Sequence, residues 1–270
     1  MTDMPVSKSG RTAIEVATEA IRLGGEILLA HAGGSKEIKE KGKRDLVTKV
    51  DLLSEKAICQ TLSAEYPGYN ILSEESAPET PIDGYTWIID PLAGTNNYVF
   101  GIPLYAVNIA LARDKDVLLG MTYHPVADEL FRAVKGGGAY LNDAPIHVSA
   151  RASLSAAVLG FDTGYDVTQG RMLLNLVSGL WPRVHSLRAL GSASLTLSYI
   201  ACGRVDLYVR GSLHPWDIAS GLRLIEEAGG SVTDWRGRKE ILKNQDIVAT
   251  NKLLHQELLG ELKQAAGLVL

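Results

Sequence analysis

Two cysteines in 270 residues, Cys59 and Cys202, are too few for a disulfide framework. Both fall in apolar helical patterns, which reads as buried free thiols in a reducing cytoplasm. No stretch approaches the roughly 18 uncharged apolar residues that a membrane span requires. The first dozen residues, Met1 to Thr12, lack the apolar core of a signal peptide, so a soluble cytoplasmic chain is expected. There is no basic excess: 27 Lys and Arg against 31 Asp and Glu leave a formal net charge of −4 and a pI near 5.9. That removes the electrostatic footprint of a nucleic-acid binder. No G-x-G-x-x-G follows a strand pattern, which argues against a dinucleotide or redox module. The six histidines show no metal-ligand spacing. Internal repeats and low-complexity tracts are absent as well.

What remains is an ordinary globular composition, 46% hydrophobic and 21% charged, long enough to bury a large core without a staple. Residues 11–31 carry Ile14, Ala17, Ile21, Ile27 and Leu28 on one helical stripe. Residues 32–44 are rich in Gly and Lys and read as a loop or mobile hairpin. A second helix is expected over 51–65, opening at Asp51 and ending before Pro67-Gly68. Strand patterns follow at Thr86–Asp90, Ala106–Ala112, Val117–Tyr123, Glu129–Val134 and Ala139–Leu141, with Asp114-Lys115-Asp116 as a hairpin turn. The second half alternates. Strands at 157–161, 184–187, 205–209, 231–233 and 247–249 are interleaved with helices at 169–179, 192–202 and 216–228, and a last helix starts at Lys252. This reads as α+β layers, with an N-terminal subdomain over 1–150 and a C-terminal one over 151–270.

Four segments place carboxylates beside turn residues. They are Asp45 to Asp51, Ile71-Leu-Ser-Glu74-Glu75-Ser76, Trp87-Ile-Ile-Asp90-Pro91-Leu92-Ala93-Gly94-Thr95-Asn96-Asn97-Tyr98, and His214-Pro215-Trp216-Asp217-Ile-Ala-Ser-Gly221. Each has a plain reading. Asp51 and Asp217 suit the first turn of a helix, and adjacent Glu74 and Glu75 suit a solvated surface. Asp90 is more telling. An apolar strand delivers it to a Pro- and Gly-containing turn, where carbonyl and carboxylate oxygens can converge as hard divalent cations require.

Together, in this order and spacing, the four segments resemble the inositol monophosphatase family, part of a wider Mg2+-dependent, lithium-sensitive phosphatase superfamily. The resemblance spans roughly residues 11–262. It implies a layered α/β/α/β/α sandwich of the inositol monophosphatase and fructose bisphosphatase type, commonly a homodimer. It also implies roles. Glu74 resembles the first-metal carboxylate and Asp90 the acid bridging the first and second metals. Leu92 resembles the carbonyl donor and Asp217 the second-metal ligand. Thr95, partnered by Asp51, resembles the pair that orients and deprotonates the attacking water. The Gly94 and Thr95 amides would hold phosphate, and Gly191-Ser192-Ala193 would line the substrate. Under this reading the cofactor is Mg2+ and the partner is a small phosphorylated molecule. His214 is then a neighbour of the ligands rather than a ligand.

Two residues depart from the family pattern. Ala93 stands where the family carries an aspartate that binds the second metal. With every surrounding motif residue kept, this reads as a single inactivating replacement that removes turnover. The alternative is a natural pseudophosphatase that binds or regulates. Arg210 stands where inositol-preferring members carry an acid. A guanidinium cannot accept hydrogen bonds from inositol hydroxyls and favours a carboxylate or phosphate. The candidate substrates are inositol-1-phosphate, a fructose bisphosphate, histidinol phosphate and a 3′-phosphoadenosine nucleotide. Arg210 tilts the expectation toward those with a second anionic group, unless it faces solvent or a dimer partner.

Overall fold

The computed structural model describes residues 4–34, 38–42, 45–240, 242 and 246–266. Helix α1 (Ala13–His31) starts at a capping box, in which Thr12 and Glu15 satisfy each other's backbone amides. Strands β1 (Ile38–Gly42) and β2 (Asp45–Thr48) pair antiparallel, so the described part of the Gly- and Lys-rich stretch is a hairpin arm. Helix α2 (Lys49–Glu65) opens two residues before the position expected from Asp51, because Thr48 is its cap.

A seven-stranded sheet follows: β3 (Asn70–Ser73), β4 (Tyr85–Ala93), β5 (Ala106–Arg113), β6 (Asp116–His124), β7 (Glu129–Val134), β8 (Gly138–Leu141) and β9 (Ala144–Ile146), in chain order across the sheet. Only the β3–β4 pair is parallel. The turn predicted at Asp114-Lys115 is made, with both residues at positive φ. Strand β4 runs three residues past the expected end, through Pro91. The ladder shifts register between Asp90 and Ala93, so the missing proline N–H breaks no regular pair.

A second sheet has the order β11-β10-β12-β14-β13, from β10 (Val158–Phe161), β11 (Ser186–Arg188), β12 (Leu207–Arg210), β13 (Ser231–Thr233) and β14 (Ile247–Thr250). The remaining helices are α3 (Thr95–Val99), α4 (Val167–Leu180), α5 (Ala193–Ala201), α6 (Pro215–Glu227) and α7 (His255–Ala266). The last begins three residues later than expected, since Lys252 holds a positive φ that interrupts the helix.

Burial gives the layer order. One core joins α1 and α2 to one face of the seven-stranded sheet through Val16, Ile21, Ile58, Trp87, Ile89, Ile109 and Met121. A second fills the space between the sheets, where α5 and α6 contribute Leu197, Ile200, Ile218, Leu222 and Ile225. A third covers the outer face of the five-stranded sheet with α4 and α7. The result is the expected α/β/α/β/α sandwich. Helix α6 rests so closely on the first sheet that a Cβ at Gly120 would lie 2.5 Å from the Ser220 carbonyl. Among the described residues no helix is long and apolar enough to cross a membrane.

Both cysteines are half-buried rather than fully buried, and burial pushes the Cys59 thiol up to about 12. In the C-terminal layer His255 is 4% exposed, with its ring nitrogens 3.0 Å from the hydroxyls of Thr233 and Thr250. Burial holds its pKa below the usual 6.5. The unfolded chain therefore binds a proton that the folded chain resists as pH falls below about 6.5. This contribution to stability is complete above that pH and is lost as pH falls through the window. Urea unfolding between pH 7.5 and 5.5 should show the loss, and His255→Gln should flatten it.

Candidate active site

The β4–α3 segment supplies the centre. Asp90 is 1% exposed, and its Oδ1 accepts a 3.0 Å bond from the Leu92 amide. Gly94 then turns the chain at φ +94, a conformation only glycine adopts cheaply, where a Cβ would lie 3.0 Å from the Leu104 carbonyl and 3.2 Å from the Ser192 Cβ. Thr95 begins α3. Its hydroxyl lies 3.0 Å from the Leu92 carbonyl oxygen and 3.3 Å from Asp51 Oδ1.

Helix α2 braces this turn from one face. Asp51 has two separate tasks: Oδ2 accepts from the Thr48 amide and hydroxyl, at 2.9 and 2.5 Å, while Oδ1 faces Thr95. Asp51 thus caps α2 through one oxygen and faces the Thr95 hydroxyl with the other. One turn on, the Ser54 hydroxyl donates to the Pro91 carbonyl at 3.0 Å. Glu55, 3% exposed, accepts from the Ser73 hydroxyl and the Glu75 amide, which fixes the loop presenting Glu74. Glu55 escaped the sequence reading; its spacing of four from Asp51, on the same helical face, was the available signal. Removing it leaves two donors without an acceptor under cover. Glu55→Ala should therefore cost about 1–3 kcal/mol in urea unfolding, and Glu55→Gln, which keeps an acceptor, less.

Helix α6 brings Asp217 in its first turn, where Oδ2 accepts from the His214 amide at 2.7 Å. His214 is exposed and stacks flat on Trp216, with ring centroids 4.5 Å apart. From the C-terminal half come Gly191, at φ +70, and Ser192, which caps α5. Asn97 ties the two halves by donating to the carbonyls of Leu104 and Leu190, both at 2.7 Å. Asp162, also unforeseen, accepts from the Gly191 amide at 2.9 Å and the Tyr208 hydroxyl at 3.0 Å.

These elements enclose one cavity of about 320 Å3. Glu74, Asp90, Leu92, Ala93, Gly94, Thr95, Gly191, Ser192, Ala193, Arg210 and Asp217 all line it, with Tyr165 and His214. Asp51 stands behind Thr95. The Arg210 side chain is only 14% exposed, 4.0 Å from Asp162, so it belongs to the cavity wall and not to open solvent. Burial opposes its charge, but Tyr208, Asp162 and Asp217 outweigh that and hold its pKa above the usual value. Ala93 packs its methyl against Ala106, Leu195 and Leu104.

Asp90 carries the main electrostatic tension. Burial, then the nearby charges of Glu74 and Asp217, raise its pKa well above the ordinary carboxylate range. Only a cation or a proton relieves such a cluster. Among the described residues no three His, Cys, Asp or Glu side chains converge closely enough to cage an ion unaided. The anionic groups of the cavity lining are the carboxylates of Glu74, Asp90 and Asp217. That set suits a hard divalent ion held by one or two carboxylates and completed by water and phosphate oxygens, the manner of Mg2+. It does not suit an ion that needs a full protein cage.

The profile of the inositol monophosphatase family matches residues 10–266. An inositol monophosphatase of Dictyostelium discoideum is 39% identical over 247 residues, covering 89% of this chain and 90% of that protein. A fructose-1,6-bisphosphatase/inositol-1-monophosphatase of Thermotoga maritima is 33% identical over 246 residues, covering 91% and 93%. The solved extragenic suppressor protein suhB of Bartonella henselae superposes with a TM-score of 0.89 at 35% identity, covering 93% of this chain and 98% of that one. By this match and these relatives, the chain belongs to the inositol monophosphatase family.

Proposed function

We propose that the chain is built to hydrolyse a small soluble phosphate monoester with Mg2+, and that Ala93 leaves this form with impaired turnover. The observation that carries the reading is the buried Asp90 sharing one cavity lining with Glu74, Asp217 and Thr95. Glu74, Asp90 and the Leu92 carbonyl would hold one ion, and Asp90 with Asp217 a second. An ion bound there supplies Lewis-acid activation of water and neutralises charge on phosphate and on the leaving oxygen.

The chain's own residues do the rest. The Thr95 hydroxyl takes a proton from the attacking water and passes its own toward Asp51 Oδ1, the oxygen that faces it. The amides of Gly94 and Thr95 hold phosphate oxygens at the turn. Gly191, Ser192 and Ala193 form the opposite wall. Arg210 reads the part of the substrate remote from the ester, so a second anionic group is favoured over a neutral polyol. A bisphosphate or a phosphorylated nucleotide fits that chemistry better than inositol-1-phosphate. In this reading the protein is a lithium-sensitive cytoplasmic homodimer, and sedimentation analysis tests its oligomeric state.

Ala93 favours a second reading, a phosphatase scaffold that binds a phosphorylated ligand without turning it over. Its methyl sits in an apolar contact and offers no oxygen to the cavity. Phosphate release from a panel of inositol, sugar, histidinol and nucleotide phosphates, by this chain and by Ala93→Asp, separates the two. Release by the Asp form from any ester supports the enzyme. Ligand binding with no release by either form supports the binding protein.

A further inference from the structure

The connection from β12 to α6 sets both Arg210 and Asp217 in the cavity lining, and its backbone is strained between them. Ser212 holds φ +56, in the left-handed region where the serine Cβ crowds the following carbonyl. A serine stays there only when the surrounding structure holds it. Ser212 also lines the cavity, so the strain sits in the site itself.

What holds it comes from α4. Ser212 Oγ donates to Gln169 Oε1 at 2.7 Å, across 43 residues of sequence. Gln169 is half-buried in the first turn of that helix. The preceding residue is confined from the same side: a Cβ at Gly211 would lie 2.5 Å from Gln169 Oε1 and 3.1 Å from Trp235 Cζ2. Trp235 Nε1 donates to the Arg210 carbonyl at 3.2 Å. The segment leading into α4 meets the Arg210 side chain as well. Gly164, at φ +67, lies where a Cβ would come 3.4 Å from Arg210 Nε, and Asp162 is 4.0 Å from the guanidinium. One stretch, 162–169, therefore touches both the side chain of Arg210 and the turn that follows it.

We propose that Gln169 is a positioning residue for Arg210 and, through it, a determinant of substrate choice: its bond to Ser212 holds the left-handed turn that fixes the guanidinium in the cavity wall. The link is the Gly211 carbonyl, which accepts from Arg210 Nε at 3.3 Å. That carbonyl belongs to the peptide unit joining Gly211 to Ser212, and the φ of Ser212 sets how this unit is turned. Relaxing Ser212 to a negative φ swings the peptide and carries the carbonyl away from Nε. The Gln169 bond prevents this, and it leaves the terminal nitrogens of Arg210 to face Asp162 and an anionic group. The effect on substrate choice rests on the function proposed above; the placement of the guanidinium does not.

The test uses the full chain. In urea unfolding, Ser212→Ala and Gln169→Met should be non-additive by about two- to tenfold in the unfolding equilibrium constant, the worth of one neutral hydrogen bond. Ser212→Gly should be more stable than Ser212→Ala, because glycine takes the left-handed turn without strain. The Nε proton of Arg210, assigned in NMR spectra by its loss in Arg210→Met, should exchange with solvent about threefold faster or more in Gln169→Met. In the Ala93→Asp form, the preference in kcat/KM for a fructose bisphosphate over inositol-1-phosphate should fall about threefold or more in Gln169→Met, within the worth of that bond. Once Arg210 is methionine, Gln169→Met should cause no further fall. If Gln169→Met does not fold, Ser212→Ala removes the same bond from its other end and replaces it in the exchange and preference measurements. Additive unfolding effects, or unchanged Arg210 exchange, overturn the proposal. So does a preference that Arg210→Met lowers and Gln169→Met leaves alone, since a merely structural glutamine does not act on substrate choice. If no ester is hydrolysed, or Arg210→Met leaves the preference unchanged, the function proposed above fails, and the exchange rate decides whether Gln169 positions Arg210.

Discussion

Ala93→Asp is expected to raise Mg2+-dependent kcat by at least about a hundredfold, from the several kcal/mol that a cation is worth at a developing alkoxide. With alanine, Asp90 and Asp217 are the only carboxylates assigned to the second ion, and among the described residues no three His, Cys, Asp or Glu side chains can cage an ion unaided. The chemical step should suffer more than phosphate binding, because charge on the leaving oxygen develops only in the transition state. The structure adds a cost on the other side. The Ala93 methyl packs against Ala106, Leu195 and Leu104, so an aspartate must turn toward the cavity or lose hydration. A small fall in stability accompanying a large rise in rate is the expected pattern. The measurement is phosphate release by both forms, with ion stoichiometry by calorimetry. Equal rates, or two tightly held ions in the alanine form, would show that position 93 has been misassigned.

The second large effect concerns substrate choice. Arg210 is held in the cavity wall by a 3.3 Å bond from its Nε to the Gly211 carbonyl and by Asp162 at 4.0 Å. The long separation from Asp162 leaves donors for an anionic group on the substrate. Replacing Arg210 should lower kcat/KM for a bisphosphate or nucleotide relative to inositol phosphate by roughly ten- to a hundredfold, the worth of about 1.5–3 kcal/mol for a charge-assisted contact. Arg210→Met tests this more cleanly than Arg210→Glu, which would set a carboxylate beside the buried Asp162. The readout is the ratio between substrates, in the Ala93→Asp background. An unchanged ranking would leave Arg210 as a structural partner of Asp162.

Much of this molecule is legible in its residues, for reasons that differ by element. The hairpin β5–β6 is readable because two apolar runs flank a short charged turn. Helix α1 is readable from its 3.6-residue stripe. Glu74, Asp90, Thr95 and Asp217 stand out because acids beside Pro, Gly and Trp at those spacings form a family pattern. Strand β4 was read three residues short, since a proline normally ends a strand and only the register shift shows why this one does not. Strand β3 and the short α3 give too few residues for any period to show.

The chain by itself determined most local elements, its lack of a long apolar run and of a cysteine framework, and the oxygen-rich motifs, because each depends on residues close in sequence. Tertiary structure alone decided which face each motif meets. Glu55 became a brace for Glu74 only when α2 packed on the first sheet, and Asp162 met Gly191 and Tyr208 only across separate elements. Arg210 was assigned to the cavity rather than to solvent by the packing of the second sheet. How closely α6 sits over Gly120 likewise depends on the packing of the layers. The hydrogen bonds of Glu55 and Asp162 named above join residues 20 to 46 positions apart, and no local propensity encodes a distance set by the packing of whole layers.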